Sequence, residues 1–134
     1  MVHVPYICLA YAFLLVYVPR FGPVAAAMSA QPGGYNNNDP RTQQQALEGR
    51  ARRAHNAHLN GFEAFAPFAA AVLMAQAAGV DHARIAQLAI AFVVLRVLHG
   101  LFYVTGMHLL RSAAWGGALA CVVWLMVQAA QHIA

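Results

Sequence analysis

Four long apolar runs, each near the length needed to cross a bilayer, constrain this chain more than any other feature. A helix rises about 1.5 Å per residue, so about 20 apolar residues span a hydrocarbon core roughly 30 Å thick. The runs extend from about Val4 to Met28, Phe62 to Gly79, Ile85 to Met107 and Ala113 to Ala130. Of the 134 residues, 61% are hydrophobic and 9% charged, against about 25% charged in a soluble domain. Much of the surface must therefore face something other than water. The predicted fold is all-α: a single domain over residues 1–134, built as an integral membrane four-helix bundle.

The polar stretches between the runs set the connections. Gln31 to Pro40 is rich in Pro, Gly and Asn and reads as a loop. Asp39 is a good N-cap and Pro40 suits a first helical turn, so one long helix is expected from there to about Ala78, with Gly49 and Gly61 weakening it and Pro67 kinking it. Val80-Asp81-His82 reads as a turn, and a second short connection is expected around His108 to Ser112. The first run lacks the basic start of a signal peptide and is broken at Pro19-Arg20, so it reads as a retained helix. Cys8 and Cys121 sit in apolar runs with no metal-binding spacing and read as small buried hydrophobes.

The charges are unevenly placed. Arg41, Arg50, Arg52 and Arg53 follow the first run, and Arg111 follows the third, whereas the opposite side carries only Arg84 beside Asp81. An excess of Arg marks cytoplasmic loops, which puts these connections in the cytoplasm and both termini outside. The net charge of +4 does not indicate nucleic acid, because too little of the chain is polar enough to form a soluble basic face.

Polar residues at membrane depth are costly and usually face protein or trapped water. Arg53, Asn56, Asn60 and Glu63 follow one another at intervals of three, four and three residues, along one helical stripe. A cation, two amides and a carboxylate suit a ligand bearing both carboxylates and an ammonium group. Arg96, His99 and Tyr103 share a second face inside an apolar run, and Arg111-Ser112 follow at its end. Glu63 and Arg96 have a plainer reading as a pair that makes mutual burial tolerable. His55 and His58 lack a further ligand at metal spacing, and no metal site is expected.

The run Ala57-His58-Leu59-Asn60, then Glu63, then Pro67-Phe68 resembles the second-helix signature of the MAPEG family, which includes microsomal glutathione transferases, leukotriene C4 synthase and microsomal prostaglandin E synthase. Arg96, His99, Tyr103 and Arg111-Ser112 are similar to the later part of the same pattern, in order. The compact length resembles the bacterial branch, which implies a bacterial inner membrane. The resemblance implies a homotrimer in contact with membrane lipids, with glutathione as thiol cosubstrate bound between neighbouring protomers. It assigns glutathione contacts to Arg53, Asn60, Glu63, Arg96, His99 and Tyr103, and thiolate stabilisation to Arg111 with Ser112 beside it. The implied reaction is glutathione-dependent transfer or peroxide reduction on a lipophilic small molecule. Two departures stand out: Trp115 occupies the place of a Tyr, and Asn56 that of an Arg. An indole donates a hydrogen bond but accepts none. These departures favour an alternative, a non-catalytic membrane protein that binds lipid or another membrane protein.

Overall fold

A computed structural model describes residues 2–133, and among these the chain is helical with no strand. The elements are α1 (Val4–Pro19), a π-helical turn (Arg20–Val24), α2 (Ala25–Ser29), α3 (Pro40–Gln45), α4 (Gly49–Ala77), α5 (His82–Thr105) and α6 (His108–Ile133). Three helical stretches are long and apolar enough to cross a membrane: Val4–Ser29, His82–Thr105 and His108–Ile133. The expected second span, in α4, is not among them. The first half of α4 carries three Arg and two His, and Glu63 and Gln76 interrupt its apolar second half.

The prolines at 19 and 23 explain the broken first stretch. Pro23 has no N–H for the carbonyl four residues back, and the helix widens into a π turn with Gly22 off helical geometry (φ −92°, ψ −107°). The Arg20 N–H turns to Tyr17 O. Val16 O instead accepts from His58 Nδ1 at 2.7 Å, a bond that fixes the Nδ1–H tautomer and ties α1 to α4. Gly61 permits this approach, since a Cβ there would lie 3.2 Å from the Val16 side chain and 3.3 Å from its Cα.

Asp39 caps α3 as expected, accepting from the Thr42 N–H at 3.3 Å, but the helix does not continue to Ala78. It stops at Gln45 and restarts at Gly49. Leu47, in the gap, is buried with Val24, Met28 and Ala54. Arg52 holds the break by donating from Nε to Leu47 O at 2.9 Å and from Nη2 to Gln45 O. Burial of one leucine and satisfaction of two end carbonyls thus outweigh continuity of the helix.

The expected connection at His108 to Ser112 is also helical, and the link is only Gly106-Met107. Gly106 takes the left-handed conformation (φ 83°). Its N–H donates to Tyr103 O at 3.3 Å, and that of Met107 to Phe102 O at 2.9 Å, the arrangement of a Schellman cap. At the other end, Asp81 caps α5 through the Arg84 N–H at 3.0 Å, so the turn at Val80 to His82 stands as expected.

α5 and α6 form an antiparallel pair, α4 packs on α1, α5 and α6, and α1 also touches α5. The centre is the stacked pair Phe68 and Phe92, fully or nearly fully buried, with ring centroids 3.8 Å apart and planes at 8°. Small residues, Ala71, Ala75 and Ala89, let the helices close around it. Cys8 and Cys121 are free and buried, as expected. The exterior is apolar: Tyr11, Leu14, Leu73, Val94, Leu101, Leu109 and Trp124 are all exposed. Lipid, not water, is the solvent such a surface suits.

Candidate functional site

The polar residues picked out by spacing fall into three groups rather than two. The first joins α4 to α5. Arg96 is buried, 7% exposed, and its Nη2 donates to the backbone carbonyl of Asn60 at 3.3 Å. Asn60 Nδ2 donates to Glu63 Oε2 at 3.0 Å. Glu63 is exposed and its hydrogen bond goes to this amide rather than to the guanidinium, so the simple Glu63–Arg96 pair is not the arrangement found. Asn60 Oδ1 and Arg96 Nη1 are buried without any partner. Asn60, Glu63, Arg96 and Trp115 line one cleft of about 170 Å³ between α4, α5 and α6.

The second group runs from α5 to α6. His99 is buried, and its ring meets that of Tyr103 edge-on at 5.4 Å. The Arg111 guanidinium lies over the other ring, 4.7 Å from the Tyr103 centroid. A ring face holds a guanidinium without consuming its N–H donors. The tight turn at Gly106 sets this contact, because it folds α6 back so that its first turn stands beside the last turn of α5. Ser112 follows on α6 and is exposed.

Arg53 stands apart. Its Nε donates to Val104 O at 3.2 Å, where a cation meets the carbonyl end of α5 and its dipole. The α4 stripe is therefore divided: Asn60 and Glu63 face the cleft, and Arg53 closes the end of α5.

A larger cavity, which spacing did not reveal, lies between α1, the π turn, α4 and α5, with Arg96 and His99 as its polar lining. The sequence signal for it was the pair of prolines four residues apart. No cluster of three or more metal-ligating residues occurs among the described residues.

Long apolar helices, an apolar exterior and polar groups gathered between the helices define a helical membrane protein. A model of the MAPEG family matches residues 4–131, nearly the whole chain, and the chain belongs to that family of membrane proteins of glutathione and eicosanoid metabolism. No curated protein and no solved structure matches it.

Proposed function

We propose that the chain is a glutathione-dependent transferase or peroxidase, active as a homotrimer of four-helix transmembrane protomers, with glutathione held between neighbouring protomers. Asn60, Glu63 and Arg96 bind the charged ends of the tripeptide, with Arg53, His99 and Tyr103 completing the contacts. Arg111, assisted by Ser112, holds the thiolate. The observation that carries this reading is the Arg111 guanidinium held on the Tyr103 ring at 4.7 Å with its N–H edge left for an anion. The unpartnered Asn60 Oδ1 and Arg96 Nη1 fit the same ligand, since they offer a buried acceptor and a buried donor.

A cation beside a thiol lowers its pKa and raises the thiolate fraction at neutral pH. The thiol proton leaves to water. The sulfur then attacks an electrophilic carbon, forming a C–S bond and expelling the leaving group. With a hydroperoxide it takes the terminal oxygen, the O–O bond breaks, and an alcohol and a sulfenic acid form; a second glutathione converts the sulfenic acid to disulfide and water. The protein supplies orientation and charge. With α4 taken as the fourth span, Arg53 at the Val104 end of α5 and Arg111 at the start of α6 share one end of the bundle, and this Arg-rich end supports a reading in which the chemistry faces the cytoplasm of a bacterial inner membrane with both termini outside.

One observation favours a second reading. Trp115 lines the cleft with Asn60, Glu63 and Arg96 and supplies no hydroxyl, which suits a scaffold that binds lipid or a membrane partner without turnover. Calorimetry of glutathione against the detergent-purified protein decides between them. Saturable binding that Arg111→Ala weakens by about tenfold, equivalent to 1.4 kcal/mol, supports the enzyme. Absence of wild-type binding at millimolar glutathione supports the scaffold.

A further inference from the structure

The formal charge of this chain is gathered at one end. All eight permanent cations are Arg and none is Lys. Arg41, Arg50, Arg52, Arg53 and Arg111 stand where α3 and α4 begin and where α5 turns into α6. Arg20 reaches towards them along α2, its Nη1 meeting Met28 Sδ at 3.4 Å. The acids at that end are Asp39, which is occupied in capping α3, and Glu48. Elsewhere Glu63 offsets Arg96, and Asp81 offsets Arg84, so the net charge of +4 belongs to this end alone.

Three contacts fix its depth. Arg53 Nε on Val104 O sets the first turn of α4 beside the last turn of α5. Leu47, buried with Val24 and Met28, sets the α3–α4 break beside the end of the first span. Gln43 Nε2 donates to Met28 O at 3.1 Å and ties α3 to the same place. The spans end there, at Ser29 and Thr105, and the α5–α6 link keeps Met107 48% and Leu109 75% exposed. Apolar side chains left outward at that level mark the edge of the hydrocarbon. Arg50 precedes Arg53 by three residues, about 4.5 Å along the helix axis, and the headgroup layer extends about 5–7 Å beyond the hydrocarbon on each side. Arg41, Arg50 and Arg52 are exposed, at the depth of lipid phosphates.

We propose that this end is a collar for anionic phospholipid, in which Arg41, Arg50 and Arg52 pair with headgroup phosphodiesters while the acyl chains lie against the apolar exterior below. A guanidinium fork matches two phosphate oxygens at once. Arg52 gives Nε and Nη2 to the carbonyls of Leu47 and Gln45 and keeps Nη1 for a headgroup. A zwitterionic lipid meets its phosphate with its own ammonium, so the collar prefers a headgroup that carries net negative charge. It uses none of Asn60, Glu63, Arg96 or Arg111, and it holds whether or not the chain turns over glutathione.

The test is electron spin resonance of the protein in phosphatidylcholine vesicles, without glutathione, with chain-labelled phosphatidylglycerol or chain-labelled phosphatidylcholine as the probe. The motionally restricted fraction measures lipid held at the protein. Phosphatidylglycerol is expected to associate about fivefold more strongly than phosphatidylcholine. Arg41→Gln with Arg50→Gln should remove most of that preference, Arg84→Gln at the far end should keep it, and about 1 M salt should suppress it in the wild type. The salt series on the wild type decides alone if the double variant loses the wild-type thermal midpoint. Equal association of the two lipids, as when an acidic protein is the true partner, overturns the collar, and so does a preference that Arg84→Gln lowers as much as the double variant. Glycerol phosphate that abolishes the preference at millimolar concentration, where chloride of equal ionic strength does not, makes this a site for soluble phosphate and overturns it too. Calorimetry of the double variant should give wild-type glutathione binding, so failure of the collar is told apart from failure of the glutathione reading.

Discussion

His55 and His58 stand three residues apart on α4 and do different things. His58 donates to Val16 O across the helix pair and packs between Tyr17 and Phe62, with ring centroids at 5.7 and 5.1 Å. His58→Leu keeps the apolar contacts and orphans that carbonyl, at a cost of about 1–3 kcal/mol. Thermal unfolding in detergent should show a lowered midpoint; a wild-type midpoint would mean the bond contributes nothing. His55 is buried with Nδ1 unpartnered. Burial first, then the charges of His58, Arg20 and Arg52, hold its pKa below the ordinary 6.5. The unfolded chain therefore binds a proton that the folded chain refuses. This stability is fully present above 6.5 and is lost as pH falls from there towards the folded value. The midpoint should drop on acidification through that window, and His55→Gln should remove part of the drop. Equal pH profiles for the two proteins would contradict the assignment. Periodicity brought both histidines to notice, but nothing local in the sequence told that one of them bonds a carbonyl freed by a π turn forty-two residues away.

At the level of elements, what was legible was what is decided locally. The Asp39-Pro40 start of α3 and the turn at Val80 to His82 depend on residues within one turn, and both are where the sequence put them; that Asp81 also caps α5 is a finding of the structure. The break at Ala46 to Glu48 depends on Leu47 meeting Val24 and Met28, and the α5–α6 link on a left-handed Gly106. Neither follows from propensity. The candidate site divides in the same way. The stripe on α4 and the face on α5 were readable from spacing, whereas the contact of Arg111 with Tyr103 is made by a turn two residues long. That turn makes a sharp prediction. A Cβ in the left-handed region costs roughly 1–2 kcal/mol, so Gly106→Ala should lower stability and also weaken glutathione binding by disturbing Arg111 against Tyr103. Gly116→Ala, in α6 with open space at its Cβ, should stabilise by up to about 1 kcal/mol and leave binding intact. Calorimetry and thermal unfolding of the two variants side by side would refute the role of the turn if both behave alike.

On the scale of the whole molecule, the protomer supplies an incomplete enclosure. The cleft holding Asn60, Glu63, Arg96 and Trp115 has Glu63 and Trp115 exposed at its edge, and Leu73, Ile90, Leu119 and Val123 stand out from α4, α5 and α6. Lipid alone can cover those apolar residues, but it cannot pair with Glu63 or with the N–H edge of Arg111, because groups of that kind need polar partners at membrane depth. A neighbouring copy presenting its own α4 stripe would supply them. The glutathione reading thus requires an oligomer: each ligand would be walled by two protomers, and monomers would bind it poorly. Light scattering in a mild detergent should give a protein mass three times the 14.4 kDa protomer, with glutathione binding lost when a harsher detergent separates the chains while their helical circular dichroism persists. Undiminished binding by helical monomers would place the whole thiol site within one chain and remove the reason for the trimer.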